Sequence, residues 1–175
     1  MTLEISPAEL RKKLDAGDGK IVLIDCREAW EHSTAAIPGS ELIPMNTIRC
    51  DVKLKDAAKR MDRWRRIAME ATKQTGRAKL MEIAEPVGFD ALIADLKNEN
   101  AVLFSERDGG GFDTVTADKK ITAIYGPKGG WDDSELALAA KAGVKIVTLG
   151  GRILRAETAS IAITAILQHC FGDLD

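Results

Sequence analysis

No stretch of this 175-residue chain approaches the run of about 20 apolar residues that a membrane-spanning helix requires. The opening segment, MTLEISPAELRKK, lacks the apolar core of a secretory signal, so no membrane partner and a cytoplasmic location are expected. Cysteine is scarce. Cys26, Cys50 and Cys170 are odd in number, far apart and form no C-x-x-C pair, which argues against a disulfide framework or a zinc site. His32 and His169 are isolated from one another, so no metal is expected. Charge of one sign is lacking too: a net charge of −2 excludes a basic coat over the whole surface.

What is present is unevenly spread. Between Arg49 and Lys79 stand eleven basic residues against four acidic ones, leaving the remainder of the chain strongly acidic. Such a local positive face can track phosphates or simply be a solvated helix face. Hydrophobic content of 45% and charged content of 30% are ordinary for a globular domain, and the length suffices for a core without staples.

Apolar runs and turn signals alternate along the chain. Ser6 and Pro7 open a short helix over 5–15, with Leu10 and Leu14 on one face. IVLI (21–24) is a fully apolar strand, as expected at the centre of a parallel sheet. A helix follows over 29–36, then the turn IPGS and the brief strand ELIPM. A long helix is predicted over 57–75, with Met61, Trp64, Ile67, Ala68 and Ala71 spaced to face a core and Gly76 ending it. A shorter helix over 89–96 precedes the strand AVLF (101–104) and the loop SERDGGG, whose glycines are expected to permit positive φ. ITAIY (121–125) leads into GPKGG. Asp132 and Glu135 form a D-x-x-E capping box for the next helix, which ends near Gly143. The last strand is expected over 144–149 and the last helix over 155–171.

The run from Gly126 to Gly172 organises the rest. Its two glycine loops, GPKGG and TLGG, each follow a β-branched strand and each precede a helix. Ligands of open α/β sheets bind outside the carboxyl ends of the strands, so the loops 103–106, 126–130 and 148–154 should share one ligand edge. None matches G-x-G-x-x-G with a ribose-binding acid, or a Walker A loop, which disfavours dinucleotides and nucleoside triphosphates. Glycines without a phosphate fingerprint suit close backbone approach to a flat ring such as adenine, against an apolar wall with few polar points. Arg152, Arg155, Glu157 and Thr158 form a polar set at the mouth of the otherwise apolar last helix.

Two resemblances add to this reading. The first 45 or so residues, with D-x-R-E after a strand and IPGS before another, resemble the opening of a rhodanese domain. That family's reactive-cysteine loop, C-x-x-G-x-R, does not follow, and Cys26 lies inside the D-x-R-E phrase. The segment 1–48 is therefore expected to be a β-α-β piece completing a sheet, with sulfurtransfer the least favoured activity.

From about Arg49 onward, RWRRIAMEATKQTGR, YGPKGGWDDSEL and TLGGRILRAETASIAITAILQHCFGDL resemble the catalytic domain of the uridine-N3 methyltransferases of 16S ribosomal RNA, the RsmE family of the SPOUT superfamily. The chain departs from the family's GPEGG at Lys128 and is expected to lack its N-terminal RNA-binding barrel. The resemblance implies an α/β fold of mostly parallel strands flanked by helices, a C-terminal trefoil knot, a homodimer, and S-adenosylmethionine as cofactor. Carried over by motif, the cofactor would be held by Leu103, Phe104 and Ser105, by Gly126, Pro127, Gly129 and Gly130, and by Leu149, Gly150, Ile153, Leu154 and Thr158. Arg155 and Glu157 would be catalytic, and Arg63, Arg66, Gln74 and Arg77 would meet small-subunit ribosomal RNA. A non-catalytic knotted RNA-binding or assembly module, or an inactive chimera, is the alternative.

Overall fold

The computed structural model describes residues 21–25, 41–51, 53–74, 80–97, 99–116, 120–150 and 153–172. The helices expected over 5–15 and 29–36, the Gly76 terminator, Cys26, Arg77 and Arg152 lie outside them.

Fully apolar strands need cover on both faces, and the structure supplies it. The strands are β1 (Ile21–Asp25), β2 (Glu41–Asn46), β3 (Glu82–Ile83), β4 (Val87–Gly88), β5 (Ala101–Phe104), β6 (Ile121–Ile124) and β7 (Lys145–Val147). They form one sheet in the order β3-β2-β1-β6-β5-β7, with β4 pairing β2, and each described pair is parallel. Parallel neighbours need crossovers. Helix α1 (Leu54–Gln74) lies between β2 and β3, α2 (Phe89–Asp95) between β4 and β5, and α3 (Asp133–Lys141) between β6 and β7; α4 (Ala156–Phe171) closes the described chain.

The period of two along the strands divides the core. Val102, Phe104, Ile121, Ala123 and Tyr125 face one side, against Ile163 and Leu167 of α4 and Ala68 of α1. Ala101, Leu103 and Ile124 face the other, against Phe89, Leu92 and Ile93 of α2 and Leu136 and Ala139 of α3. The result is three layers, with all four residues of β5 and all four of β6 buried. In α4 the buried positions Ser160, Ile163, Thr164, Leu167 and Gln168 follow the i, i+3, i+4, i+7, i+8 stripe of a helix with one face inward. Helix α1 buries Ala57, Met61, Trp64 and Ala68 in the same way, and it begins three residues earlier than the periodicity predicts, with Asp56 in its first turn.

Helix α3 starts on the predicted capping box. Asp132 Oδ1 accepts from Ser134 N at 3.1 Å, and Asp132 N donates to Glu135 Oε2 at 3.0 Å. Hydrogen bonds from the Ser134 side chain and backbone, with Arg49 adding less, hold the Asp132 carboxyl below the usual aspartate range.

One expectation changes. The glycines of SERDGGG do not carry positive φ; Asp108 does, at 60°. Gly109 is required for a different reason. A Cβ there would lie 2.7 Å from the Val147 carbonyl carbon, because the loop runs directly against β7.

Candidate functional site

The close approach at Gly109 belongs to a strap. Ser105 N donates to Val147 O at 2.9 Å, extending the β5–β7 ladder, and the chain then passes to the other edge of β7, where Gly110 N donates to Ile146 O at 2.9 Å and Thr148 N to Gly110 O at 3.0 Å. The last strand is thus paired with β5 on one side and with Gly110 on the other.

The carboxyl ends of β5, β6 and β7 open into a cavity of about 370 Å³. Its first wall is Phe104, Ser105 and Glu106; its second runs from Tyr125 through Gly126, Pro127, Lys128 and Gly129 to Gly130. Leu149, Gly150, Ile153, Leu154 and Arg155 form the third, and Ala156, Ala159 and Ile163 of α4 form the floor. Three segments far apart in sequence meet here because β6, β5 and β7 are consecutive parallel neighbours.

The second wall is fixed from behind. Trp131 is fully buried and donates Nε1–H to the Phe104 carbonyl at 2.8 Å, joining the end of β5 to the GPKGG loop, and it packs on Phe89 at 5.4 Å. A Cβ at Gly126 would lie 2.9 Å from that Nε1, so glycine is dictated there by the indole. Arg49 reaches Gly129 O at 3.4 Å and Asp132 Oδ2 at 3.2 Å. Glu135, 4% exposed, uses its second oxygen to accept from Ile48 N at 2.8 Å. Arg107 spans the same junction, with a 2.6 Å ion pair to Asp133 and a 3.0 Å hydrogen bond to Trp131 O; Asp133 raises its pKa further. At the floor, Tyr125 Oη and Thr164 Oγ1 are 3.2 Å apart, which joins β6 to α4.

Replacing Trp131 by phenylalanine removes the Nε1–H and leaves a void beside Phe104. A loss of about 2 kcal/mol is expected. For a domain of this size that is a fall of ~4–8 °C in melting temperature, measurable by calorimetry.

Of the residues expected to hold a cofactor, Phe104, Ser105, Gly126, Pro127, Gly129, Gly130, Leu149, Gly150, Ile153 and Leu154 line the cavity. Leu103 and Thr158 do not. Leu103 is 0% exposed and points into the core on the α2–α3 side, and Thr158 is exposed in the first turn of α4. Arg155, the N-cap of α4, lines the cavity; Glu157, half-buried in the first turn, stands off its wall. Arg63, Arg66 and Gln74 are exposed on α1, which packs on β3 and β2. None of these three residues lines the cavity. Glu106, Tyr125, Lys128, Ala156, Ala159 and Ile163 line the cavity in addition. Glu106 and Lys128 sit within the loops singled out by sequence, whereas the α4 contribution depends on how that helix packs. Among the described residues no group of three His, Cys, Asp or Glu side chains could hold a metal, and no helix is long and apolar enough to cross a membrane.

A parallel sheet with a glycine-walled cavity at adjacent carboxyl ends, and a loop paired along the free edge of its last strand, defines an α/β domain with room for a small molecule. The chain belongs to the RNA methyltransferase domain family, whose model matches residues 35–168. It is 33% identical over 136 residues to the ribosomal RNA small subunit methyltransferase E of Mesomycoplasma hyopneumoniae, a match covering 77% of this chain and 59% of that protein. The protein of the same name from Aquifex aeolicus is also 33% identical, over 128 residues, covering 73% of this chain and 56% of that one. The chain therefore spans less than two thirds of the length of these relatives. Among solved structures, the ribosomal RNA small subunit methyltransferase E of Neisseria gonorrhoeae bound to S-adenosyl methionine superposes with a TM-score of 0.75 at 26% identity, over 91% of this chain and 68% of that one.

Proposed function

We propose that this protein is an S-adenosylmethionine-dependent methyltransferase acting on small-subunit ribosomal RNA, at N3 of a uridine. The observation that carries this reading is the single cavity formed by all three motif-bearing loops, in a chain of this family.

The residues fit the cofactor. The volume is in the range of roughly 300–1,000 Å³ usual for small-molecule sites. Phe104, Tyr125, Leu149, Leu154 and Ile163 give apolar surface for an adenine ring, and the side-chain-free positions 126, 129 and 130 bring backbone within reach of its edge. When bound, S-adenosylmethionine supplies an electrophilic methyl group. The chain's own task is to seat the uracil with N3 facing the cavity, since positioning accounts for much of the rate in such transfers. N3 must also lose its proton. Arg155 places a permanent positive charge on the cavity wall, where it stabilises negative charge developing on the ring. Glu157, two residues further on, accepts the N3 proton or orients the base. The basic outer face of α1, with Arg63, Arg66 and Gln74, together with Arg77, contacts RNA phosphates.

Three further features belong to the reading. First, the C-terminal segment is threaded into a trefoil knot beside the loop that follows β5. It is supported by the pairing of β7 with both β5 and Gly110; a crystal structure with 148–156 passing outside that loop would refute it. The protein is a homodimer, an inference supported by Ile153, Leu154 and Ile161, which are 79%, 37% and 39% exposed beside the start of α4. Sedimentation equilibrium tests it, and a monomer at micromolar concentration overturns it. Third, β1 and β2 complete the sheet beside β6 within the cytoplasmic enzyme.

Titration calorimetry with S-adenosylmethionine should show one site per chain, and 16S ribosomal RNA incubated with both should gain 3-methyluridine by mass spectrometry. Absence of binding sinks the reading. Binding without methyl transfer favours a non-catalytic RNA-binding or assembly module.

A further inference from the structure

Three charged side chains line the cavity among the described residues: two cations, Lys128 and Arg155, and one carboxylate, Glu106. Glu106 is 25% exposed at its side chain, and its Oε1 lies so close to Gly130 that a Cβ there would sit 2.5 Å away. Among the described residues its charge is met only by Arg107 Nε, at a loose 3.6 Å. The rest of that guanidinium is turned elsewhere, to Asp133 at 2.6 Å, Trp131 O at 3.0 Å and Asp108 at 3.3 Å. Among the described residues none donates a hydrogen bond to the Glu106 carboxylate, an acceptor group of a cavity-lining residue.

We infer that Glu106 is the anionic partner of the α-ammonium group in the amino-acid tail of the bound methyl donor. The inference rests on the methyl-donor reading above. S-adenosylmethionine brings several polar groups, but they differ in what they demand. The adenine edge and the ribose hydroxyls are neutral and can be satisfied by backbone carbonyls of the glycine loops. An ammonium leaving water needs a charged or multiply hydrogen-bonding partner, or its desolvation is uncompensated. Among the described residues that line the cavity, Glu106 is the only carboxylate, and the other two charged residues are cations. A charge-assisted bond of this kind also makes the pocket select an amino-acid-bearing adenosine over one without the tail.

The test uses Glu106→Gln, which keeps the shape and removes the charge, with three probes by titration calorimetry. S-adenosylhomocysteine carries the whole tail, 5′-methylthioadenosine lacks it but keeps adenine and ribose, and the deaminated analogue of S-adenosylhomocysteine lacks only the amine. Glu106→Gln should weaken S-adenosylhomocysteine by about tenfold or more and change 5′-methylthioadenosine by less than about twofold. On the unaltered protein the deaminated analogue should bind about as weakly as S-adenosylhomocysteine binds the variant, and the variant should weaken it no further. Equal losses for 5′-methylthioadenosine and S-adenosylhomocysteine in a variant of unchanged melting temperature would assign Glu106 to the ribose or to pocket shape, and overturn the inference. Unchanged binding of all three would also overturn it. If the variant does not fold, equal affinity of the unaltered protein for S-adenosylhomocysteine and its deaminated analogue suffices to do so. Failure of the unaltered protein to bind any of the three would instead remove the methyl-donor reading itself, and this inference with it.

Discussion

Arg155→Ala is expected to lower the rate of methyl transfer by roughly 10²–10³-fold while changing the affinity for S-adenosylmethionine by less than about tenfold. The asymmetry follows from when the charge is needed. A guanidinium is protonated at every working pH, so it adds nothing by titrating; it acts by standing where negative charge appears on the uracil as N3 gives up its proton. Arg155 stands for that purpose at the N-cap of α4, in extended backbone at φ −63° and ψ 150°, among the residues that line the cavity. Single-turnover transfer to 16S ribosomal RNA, with cofactor affinity measured separately, makes the comparison. Equal losses in affinity and turnover would show that Arg155 holds the cofactor and would remove its assigned role. Arg155→Lys should recover only part of the rate, since an ammonium keeps the charge and loses the planar fork.

Gly150→Trp should abolish binding of S-adenosylmethionine, at least a hundredfold, with the protein still folded. Gly150 lies on the third wall at φ +66°, and the space where its Cβ would stand is open. A side chain there meets no packed neighbour on entering, so the fold bears mainly the left-handed backbone cost, about 1–2 kcal/mol. An indole at that position competes with the ligand for the cavity. Gly150→Asn separates the two effects, because asparagine tolerates the left-handed region and is small; it should bind within several-fold of the unaltered protein. Calorimetric titration with a melting curve for each variant decides it. Tight binding by the tryptophan variant would mean that the ligand does not occupy this wall.

The variants probe different supports of one cavity. Arg155 and Gly150 belong to the segment after β7, Trp131 to the hinge between GPKGG and α3, and Glu106 to the strap after β5. Only side chains that touch the reacting ring should affect turnover selectively. Those behind the wall, such as Trp131 and Arg49, act through its shape and should move stability and affinity together.

Much of this was legible in the sequence because it is local. The strands AVLF and ITAI, the core-facing stripe of Met61, Trp64 and Ala68 in α1 and the capping box at Asp132 each depend on residues within a few turns of chain, and each appears as expected. So does the placement of three loops at strand ends, since a parallel sheet puts every carboxyl end on the same edge. Tertiary structure alone decided the strand order that makes β6, β5 and β7 neighbours, because that order is the sum of many weak contacts between segments distant in sequence. It also decided why particular glycines are glycines. Gly109 yields to a strand 38 residues away and Gly126 to an indole, neither of which a turn rule can see. Leu103 and Phe104 are neighbours in the first ligand loop's motif, yet the pleat sends Leu103 into the core on the α2–α3 side and turns Phe104 towards the cavity. The sequence by itself determined which segments could bind a ligand; the packing of α4, the strap and Trp131 determined which atoms would face it, because only non-local contacts fix the direction of a side chain.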